Sequence, residues 1–347
     1  MNRKIFITLF LMTVAVAVFA DDAMVLPEGV MRLTFANTYA MADEAYNSDG
    51  DAEDSAEYSF YYLGGALEFG ITEKVTAAVQ WTPGVSLYED YNDEDTLGSL
   101  NDQVEFSGLA DLFVGAKVQV VENDNIRFAF APGIAVPLDS LDGEEAAEDA
   151  MNGDDFKLVT ASTTEGYGIG GRFYLDYIVT EDFYINFYNQ TKYYFSNERY
   201  ADGAGATYAG TYAGTFDYYY YDLGQTLADS LAAAEAAAEA TLVEHEYDYP
   251  IYFDFELDFN YDLHLTPKTK FGFGLPVKYS VAGETKEDGV NQEDDYYSVA
   301  IDPSVSFFTA ESIPFEVAVD YYLTLAGKNV DKRSYVGLQL KLFYDFY

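Results

Sequence analysis

Residues 247–265 read YDYPIYFDFELDFNYDLHL, and every second residue of this stretch is aromatic or aliphatic. The positions between them are polar and mostly acidic, as at Asp254, Glu256 and Asp258. Alternation with a period of two is typical of a β-strand whose faces lie in unlike surroundings. Soluble strands usually have about 5–6 residues, whereas a strand that crosses a bilayer obliquely needs about 9–11. We interpret the stretch as a membrane-crossing strand. The alternative is a long strand of a soluble β-sandwich, whose buried face would usually also hold Val, Ile and Leu.

The composition narrows the class of protein. The chain has 347 residues, a net charge of -42, no cysteine, 33 tyrosines and 26 phenylalanines. This length suits two soluble domains or one large barrel. The acidity argues against nucleic-acid binding, which needs a basic surface, and the aromatic content argues against disorder. The absence of cysteine removes disulfide and thiol chemistry.

The N-terminus has the form of a secretory signal. Asn2, Arg3 and Lys4 form a positive region, residues 5–19 are apolar, and Ala20 ends a small-residue cleavage site. We therefore predict a signal peptide over residues 1–20 and a mature chain over 21–347. No later segment is apolar enough for a membrane helix. Export combined with amphipathic strands predicts the outer membrane of a diderm bacterium, with membrane lipids and the outer-membrane assembly machinery as partners.

The rest of the chain repeats the alternating pattern and predicts an all-β fold, a single antiparallel transmembrane β-barrel. Charges within one strand, such as Lys270 and Lys278, share the parity opposite to the apolar face. Long, acidic connections alternate with short ones, as in barrels with short periplasmic turns and longer outer loops. The last outer connection, residues 326–333, is shorter and basic and fits this alternation least well. The twelve predicted strands are residues 30–39, 58–69, 75–88, 109–121, 126–137, 167–179, 183–195, 247–265, 270–281, 296–308, 315–325 and 334–346.

The strand phase predicts which side chains line the lumen. A ring of acids would favour cations in a pore, but acids and bases could also pair across strands and partly fill the barrel. Inward tyrosines could stack on sugars or aromatic solutes, or pack the interior. The predicted charged lining residues are Asp254, Glu256, Asp258, Asp262, Asp302, Glu316, Asp320, Arg127, Arg172, Lys192 and Lys278. The predicted tyrosines are Tyr62, Tyr174, Tyr184, Tyr188, Tyr252 and Tyr322.

The outer loops carry most of the acidic charge. Carboxylates in one of them are candidate ligands for divalent cations, since hard ions take several carboxylate oxygens. These are Asp49, Asp51, Glu53 and Asp54. The spacing of an EF-hand is missing, and the alternative is a solvated, repulsive surface. We predict no other metal site and no cofactor.

The largest loop contains LADSLAAAEAAAEATLV, residues 227–243, which reads as one short helix. This helix would either enter the barrel as a plug or rest on the outer rim.

Catalytic signals are weak in this sequence. The two histidines, His245 and His264, have no serine near them in sequence, and the chain lacks a helix-borne metal motif or a Gly-rich phosphate loop. We predict that the protein is not an enzyme.

Two segments resemble a known family. Residues 108–117, GLADLFVGAK, and 128–137, FAFAPGIAVP, resemble a recurring piece of outer-membrane barrel transporters, and EFGIT at 68–72 fits the same pattern. The resemblance is to the family associated with pathways that degrade phenol and aromatic hydrocarbons. It implies a passive channel for small solutes, hydrophobic ones included. The acidic loops and the alanine-rich insertion depart from that family. The C-terminal LFYDFY, residues 342–347, resembles an aromatic-ended assembly signal, with Tyr347 one residue out of the usual phase.

From this reading we predict a passive outer-membrane channel or transporter for small solutes, preferring cations if the pore is open. The alternative is a surface-exposed binding or structural barrel whose acidic loops contact divalent ions or host molecules. A barrel enzyme is the third option.

Overall fold

A computed structural model describes residues 22–92, 104–109, 111–138, 166–200, 244–310 and 314–346. The predicted signal peptide, the predicted helix at 227–243 and Tyr347 lie outside these residues. Within the described part, no helix is long and apolar enough to cross a membrane. The described strands, in chain order, are β1 (Val30–Tyr46), β2 (Ala52–Thr72), β3 (Val75–Asn92), β4 (Val104–Leu109), β5 (Leu112–Glu122), β6 (Ile126–Val136), β7 (Gly168–Ile178), β8 (Phe183–Tyr194), β9 (Asn197–Tyr200), β10 (Glu244–Asp248), β11 (Tyr252–Thr266), β12 (Thr269–Ala282), β13 (Lys286–Glu287), β14 (Val290–Asn291), β15 (Tyr296–Ile301), β16 (Ser304–Thr309), β17 (Phe315–Lys328), β18 (Val330–Asp331) and β19 (Ser334–Asp345).

The large sheet closes on itself. Neighbours around the ring run β11, β8, β7, β6, β5, β3, β2, β1, β19, β17, then β15 with β16, then β12, which pairs again with β11. Both β4 and β5 pair with β3, and both β15 and β16 pair with β12 and β17, so each of these pairs acts as one wall strand. The described residues therefore form a closed antiparallel barrel of twelve wall strands, as predicted.

The two faces of the wall differ as the alternation predicted. Along β11, the exposed fractions of Leu257 and Phe259 are 40% and 37%. Their neighbours Asp258 and Asn260 are buried, with exposed fractions of 1% and 7%. The same outward apolar face recurs on distant strands, for example at Leu67 of β2. A closed sheet pairs its backbone groups internally, and an apolar exterior matches hydrocarbon. The barrel is therefore a membrane-spanning one whose outer face contacts lipid.

The first outer loop differs from its prediction. Residues 40–57 were expected to form an acidic loop, but most of them extend β1 and β2 as a hairpin. The hairpin turns at Asn47, whose side-chain Oδ1 accepts hydrogen bonds from the backbone amides of Asp49 and Asp51. Gly50 in this turn has a φ of 83°, which glycine adopts without strain. Acidic side chains tolerate a strand here because this hairpin lies beyond the apolar band.

The stretch over residues 247–265 is not one strand, which corrects the prediction. β10 ends at Asp248 and β11 begins at Tyr252, because Pro250 has no amide proton to continue a ladder. β10 joins a small sheet with β9, β13 and β14. Tyr247 and Tyr249 were expected on the lipid side but are buried, with exposed fractions of 4% and 8%. They pack in a cluster with Tyr194.

The predicted strand over residues 296–308 is interrupted as well. β15 and β16 are separated by Asp302 and Pro303, and the break faces Pro276 of β12. The wall stays connected because the Asp302 amide donates to the Pro276 carbonyl, and the Tyr321 amide donates to the Pro303 carbonyl, both at 3.0 Å.

The short basic outer connection, residues 326–333, lies across the first hairpin, and we call it the strap. Its β18 pairs with Ala45 and Tyr46 of β1. Lys332 donates a hydrogen bond to the Glu44 carboxylate, and this bond raises the pKa of Lys332. The strap is short and basic because it lies on the acidic hairpin and offsets part of its charge.

Candidate pore interior

The chain that precedes β1 enters the barrel. Ala23 is fully buried against Ala129, Ala131 and Tyr174. Its amide donates to the Asp176 carboxylate at 2.9 Å. No strand was predicted for the residues before position 30, because a few apolar residues carry no periodic signal.

Three further contacts fix the segment, which we call the N-terminal segment (residues 22–29). The Leu26 amide donates to the Thr76 hydroxyl at 2.8 Å, and the Lys117 ammonium donates to the Asp22 carbonyl at 2.9 Å. The Gly29 amide donates to the carbonyl of Gly70, next to the β2–β3 turn. The segment thus occupies lumen space near the turns predicted to be periplasmic.

The predicted acids of β11 lie on the inner face but differ in their partners. Glu256 lies 3.5 Å from the Lys278 ammonium, and Asp262 forms an ion pair with Lys270. Asp254 instead accepts a hydrogen bond from the Ser280 hydroxyl at 2.7 Å.

Asp258, the remaining acid of β11, is also surrounded by neutral donors. Asp258 accepts from the Asn260 amide at 2.8 Å and from the Leu275 backbone at 3.1 Å. Asp254 has a second neutral donor, the Gln190 amide at 3.1 Å. Within the described part of the chain, the charges of Asp254 and Asp258 are therefore hydrogen-bonded without a direct ion pair, unlike those of Glu256 and Asp262.

The remaining predicted acids lie on β17 and in the break before β16. Asp302 is fully buried and accepts from the Lys278 ammonium at 2.6 Å. Asp320 is buried at 3% exposure, and Glu316 lies 3.4 Å from Lys341.

The predicted bases are held inside the barrel. Arg172 donates to the Gln190 side chain at 2.7 Å, and its guanidinium lies 4.1 Å from the centre of the Phe113 ring. Arg127 lies 3.9 Å from Asp176. Lys192 is half-buried and interacts electrostatically with Asp254 and Arg172. Cross-strand pairing, one of the two interpretations of the lumen charges, therefore accounts for several of them.

The predicted tyrosines occur mostly in ring pairs. Tyr322 stacks on Tyr335 with ring centres 4.4 Å apart and planes 4° apart. Tyr174 lies 5.3 Å from Tyr188, and its face contacts the Lys117 ammonium at 4.0 Å.

The other three inner tyrosines lie at different levels. Tyr62 packs edge-on against Phe60 at 4.7 Å, Tyr252 against Tyr194 at 5.9 Å, and Tyr184 is half-buried near Asp262. Sequence reasoning missed Tyr335 and Tyr194 as partners, because ring pairing across strands depends on register.

The loop acids do not converge. The side chains of Asp49, Asp51, Glu53 and Asp54 are exposed. Across the described ranges, no three His, Asp or Glu side chains are arranged to hold a metal ion. His264 lies 3.7 Å from Asp182 at the protein surface, where both side chains are about half exposed. The absence of an enzyme function stays a prediction.

Comparison with solved structures identifies the fold. An outer-membrane channel from Pseudomonas putida F1 superimposes with a TM-score of 0.62 at 13% identity, over 94% of this chain and 100% of that one. The β domain of the Bordetella autotransporter BrkA gives 0.43 at 9% identity, over 92% and 100%. The toluene transporter TodX of P. putida gives 0.40 at 9% identity, over 93% and 91%. No family model matches the chain, and no curated protein matches it by sequence. The fold is that of an outer-membrane β-barrel.

Proposed function

We propose that the protein is a passive channel or transporter that moves small solutes across an outer membrane. The observation that carries this proposal is the closed barrel with an apolar exterior and a polar, charged interior. Membrane anchoring alone would need only the exterior. Polar residues through the depth of the barrel provide hydrogen-bonding partners for water and solutes along its axis.

The proposed channel prefers cations. Asp254 and Asp258 lie on the same inner face of β11 and have neutral donors, so their charges act on the lumen. Inward residues two positions apart are separated by about 7 Å along a strand. Two such steps give about 13–14 Å, which exceeds a Debye length of about 8 Å in bulk salt. Their fields overlap because a barrel interior screens charge less than bulk water does.

The N-terminal segment would set the width of the proposed pathway. Its hydrogen bonds to Asp176 and Thr76 hold it in the lumen. A solute would have to pass beside it or displace it.

We propose that the transported solutes include small hydrophobic ones, because residues 108–137 resemble transporters associated with phenol and aromatic-hydrocarbon degradation. We also propose that the aromatic C-terminal segment engages the outer-membrane assembly machinery. Tyr344 and Phe346 are exposed at 58% and 55%, and a receptor can therefore reach them.

The test is conductance of the pure protein in planar bilayers under a salt gradient. We expect open-channel current with a cation-directed reversal potential. Asp254→Asn and Asp258→Asn should shift that potential toward anions, and the shift should shrink at high salt. The matched control is Asp262→Asn, which leaves Lys270 uncompensated.

Asp262→Asn should shift the reversal potential toward anions at least as far as Asp254→Asn or Asp258→Asn does. This shift should disappear in the double variant Asp262→Asn with Lys270→Gln. Absence of current would remove the channel proposal. An anion preference unchanged by Asp254→Asn and Asp258→Asn would remove cation selectivity.

The exposed acids of the first hairpin favour a second candidate function, a surface barrel that binds divalent ions or host molecules. Calcium titration of the folded protein, with Asp51→Asn and Glu53→Gln as variants, tests it. Absence of binding would eliminate the ion-binding form of this candidate.

A further inference from the structure

Two buried carboxylates meet where the barrel wall is interrupted. Asp302 precedes β16 and is fully buried, and Asp320 on β17 is 3% exposed. Their negative charges repel each other. Asp320 lies opposite Ser304 on one side and Gly337 on the other. Its carboxylate lies where a side chain at position 337 would stand, so the absence of a Cβ at Gly337 makes room for it.

Three of the four oxygens of these carboxylates lack a donor among the described residues. None of the described residues donates a hydrogen bond to either oxygen of Asp320 or to Oδ1 of Asp302. The other oxygen of Asp302 accepts from Lys278, which is also 3.5 Å from Glu256. A buried carboxylate that is neither paired nor hydrogen-bonded is energetically costly. The arrangement therefore calls for another positive charge between the two acids.

A third unpartnered group lies on the next strand. Gln339 is 1% exposed, and neither atom of its amide has a hydrogen-bond partner within the described part of the chain. Register places it two residues from Gly337, on the same face, and therefore diagonal to Asp320. Diagonal neighbours in a sheet are about 7–8 Å apart, within reach of a long side chain. Its amide oxygen adds a neutral ligand to the two carboxylates.

The number of acidic ligands in this arrangement indicates the charge of the cation that it would bind. Calcium takes about 6–8 oxygens, commonly from several carboxylates. Among the described residues, no set of three acidic or histidine side chains is placed to hold a metal. Lys278 already supplies one positive charge to Asp302. Two carboxylates and an amide suit a singly charged ion.

We propose that Asp302 and Asp320, together with Gln339, form a binding site for a monovalent inorganic cation, Na⁺ or K⁺, inside the barrel wall. The ion bridges the break before β16 to β17 and β19, at the point where two prolines interrupt the ladder. Its binding stabilises the wall there, and it does so whether or not the pore conducts.

The test compares thermal unfolding of the detergent-folded barrel, followed by heat modifiability on gels. The salts are NaCl, KCl and N-methyl-D-glucamine chloride at equal ionic strength, so that general screening is constant. The organic cation is too large for the buried site. We expect Na⁺ or K⁺ to raise the unfolding midpoint, saturably, by about 2 °C or more.

Asp320→Asn should abolish this cation-dependent shift. The matched control is Glu316→Gln on the same strand, an inner acid already paired with Lys341, and it should retain the shift. If Asp320→Asn does not fold, broadening of the ²³Na resonance by the wild-type protein, reversed by excess K⁺, supports the site, and its absence refutes it.

Equal midpoints in all three salts would overturn the proposal. So would a midpoint that responds to pH and not to the cation, because the two acids would then share a proton. Conductance enters none of these measurements, so a failure here is distinct from a failure of the proposed channel function.

Discussion

Placing arginine at two depths on one strand tests the orientation of the barrel wall. Phe259 is the middle residue of β11 (Tyr252–Thr266) and faces outward, with 37% of its surface exposed. Leu265 lies near the end of the strand on the same face, with 54% exposed. Both substitutions introduce the same charge on the same face, so only depth and the size of the lost side chain differ.

The structure sets the expected magnitude. Six residues at about 3.3 Å each separate the two positions by about 20 Å along the strand, or about 15 Å along the membrane normal at a tilt near 40°. The apolar band is about 25 Å tall, so a site about 15 Å from its centre lies outside it. Arginine costs about 2–4 kcal/mol at the midplane and about 0–1 kcal/mol near the interface. We therefore expect Phe259→Arg to lower the free energy of unfolding by about 2–3 kcal/mol more than Leu265→Arg.

The assay is equilibrium unfolding by urea in lipid vesicles, followed by the fluorescence of the single tryptophan, Trp81. A difference of 2–3 kcal/mol corresponds to about a 30- to 150-fold change in the equilibrium constant. Phe259→Leu controls for the lost ring and should cost far less than Phe259→Arg. Equal costs for the two arginines would show that this face does not contact hydrocarbon.

Two further predictions follow from the topology and the lumen. A cysteine at Asn291 should label from outside intact cells, whereas one at Asn123 should not, and the reverse pattern would invert the orientation. Deleting residues 22–27 should increase single-channel conductance, because the deleted residues occupy the lumen, and a chain that still folds with unchanged conductance would show that they do not restrict the pathway.

Most of the wall could be predicted from sequence because one physical rule acts at every position. A charge facing hydrocarbon is costly, so Lys270 and Lys278 on one strand had to share a face. That regularity revealed the number of strands and their inner faces. It failed at Pro250, where a missing amide proton ended the ladder and the aromatic residues before it turned inward.

Contacts between distant parts of the chain could not be predicted in the same way. The meeting of Asp302 with Asp320 depends on strand register and on the break at Pro303. The entry of Ala23 into the lumen depends on a small gap beside Ala129 and Tyr174. Alternation within a strand carries no information about either. Asp302 and Asp320 were therefore identified without their contact, and Ala23 was not identified.

The seam between β1 and β19 has a consequence for the kinetics of folding. Val30 pairs with Asp345, so the first strand can find its partner only after nearly the whole chain is present. Until then the molecule is an open sheet with two unpaired edges, which invite pairing with other chains. This contact joins residues that are separated by almost the full sequence. Contacts with a large sequence separation slow folding. Closure of the ring is therefore expected to be the slow and aggregation-prone step, in which the edges of β1 and β19 must be shielded until they meet.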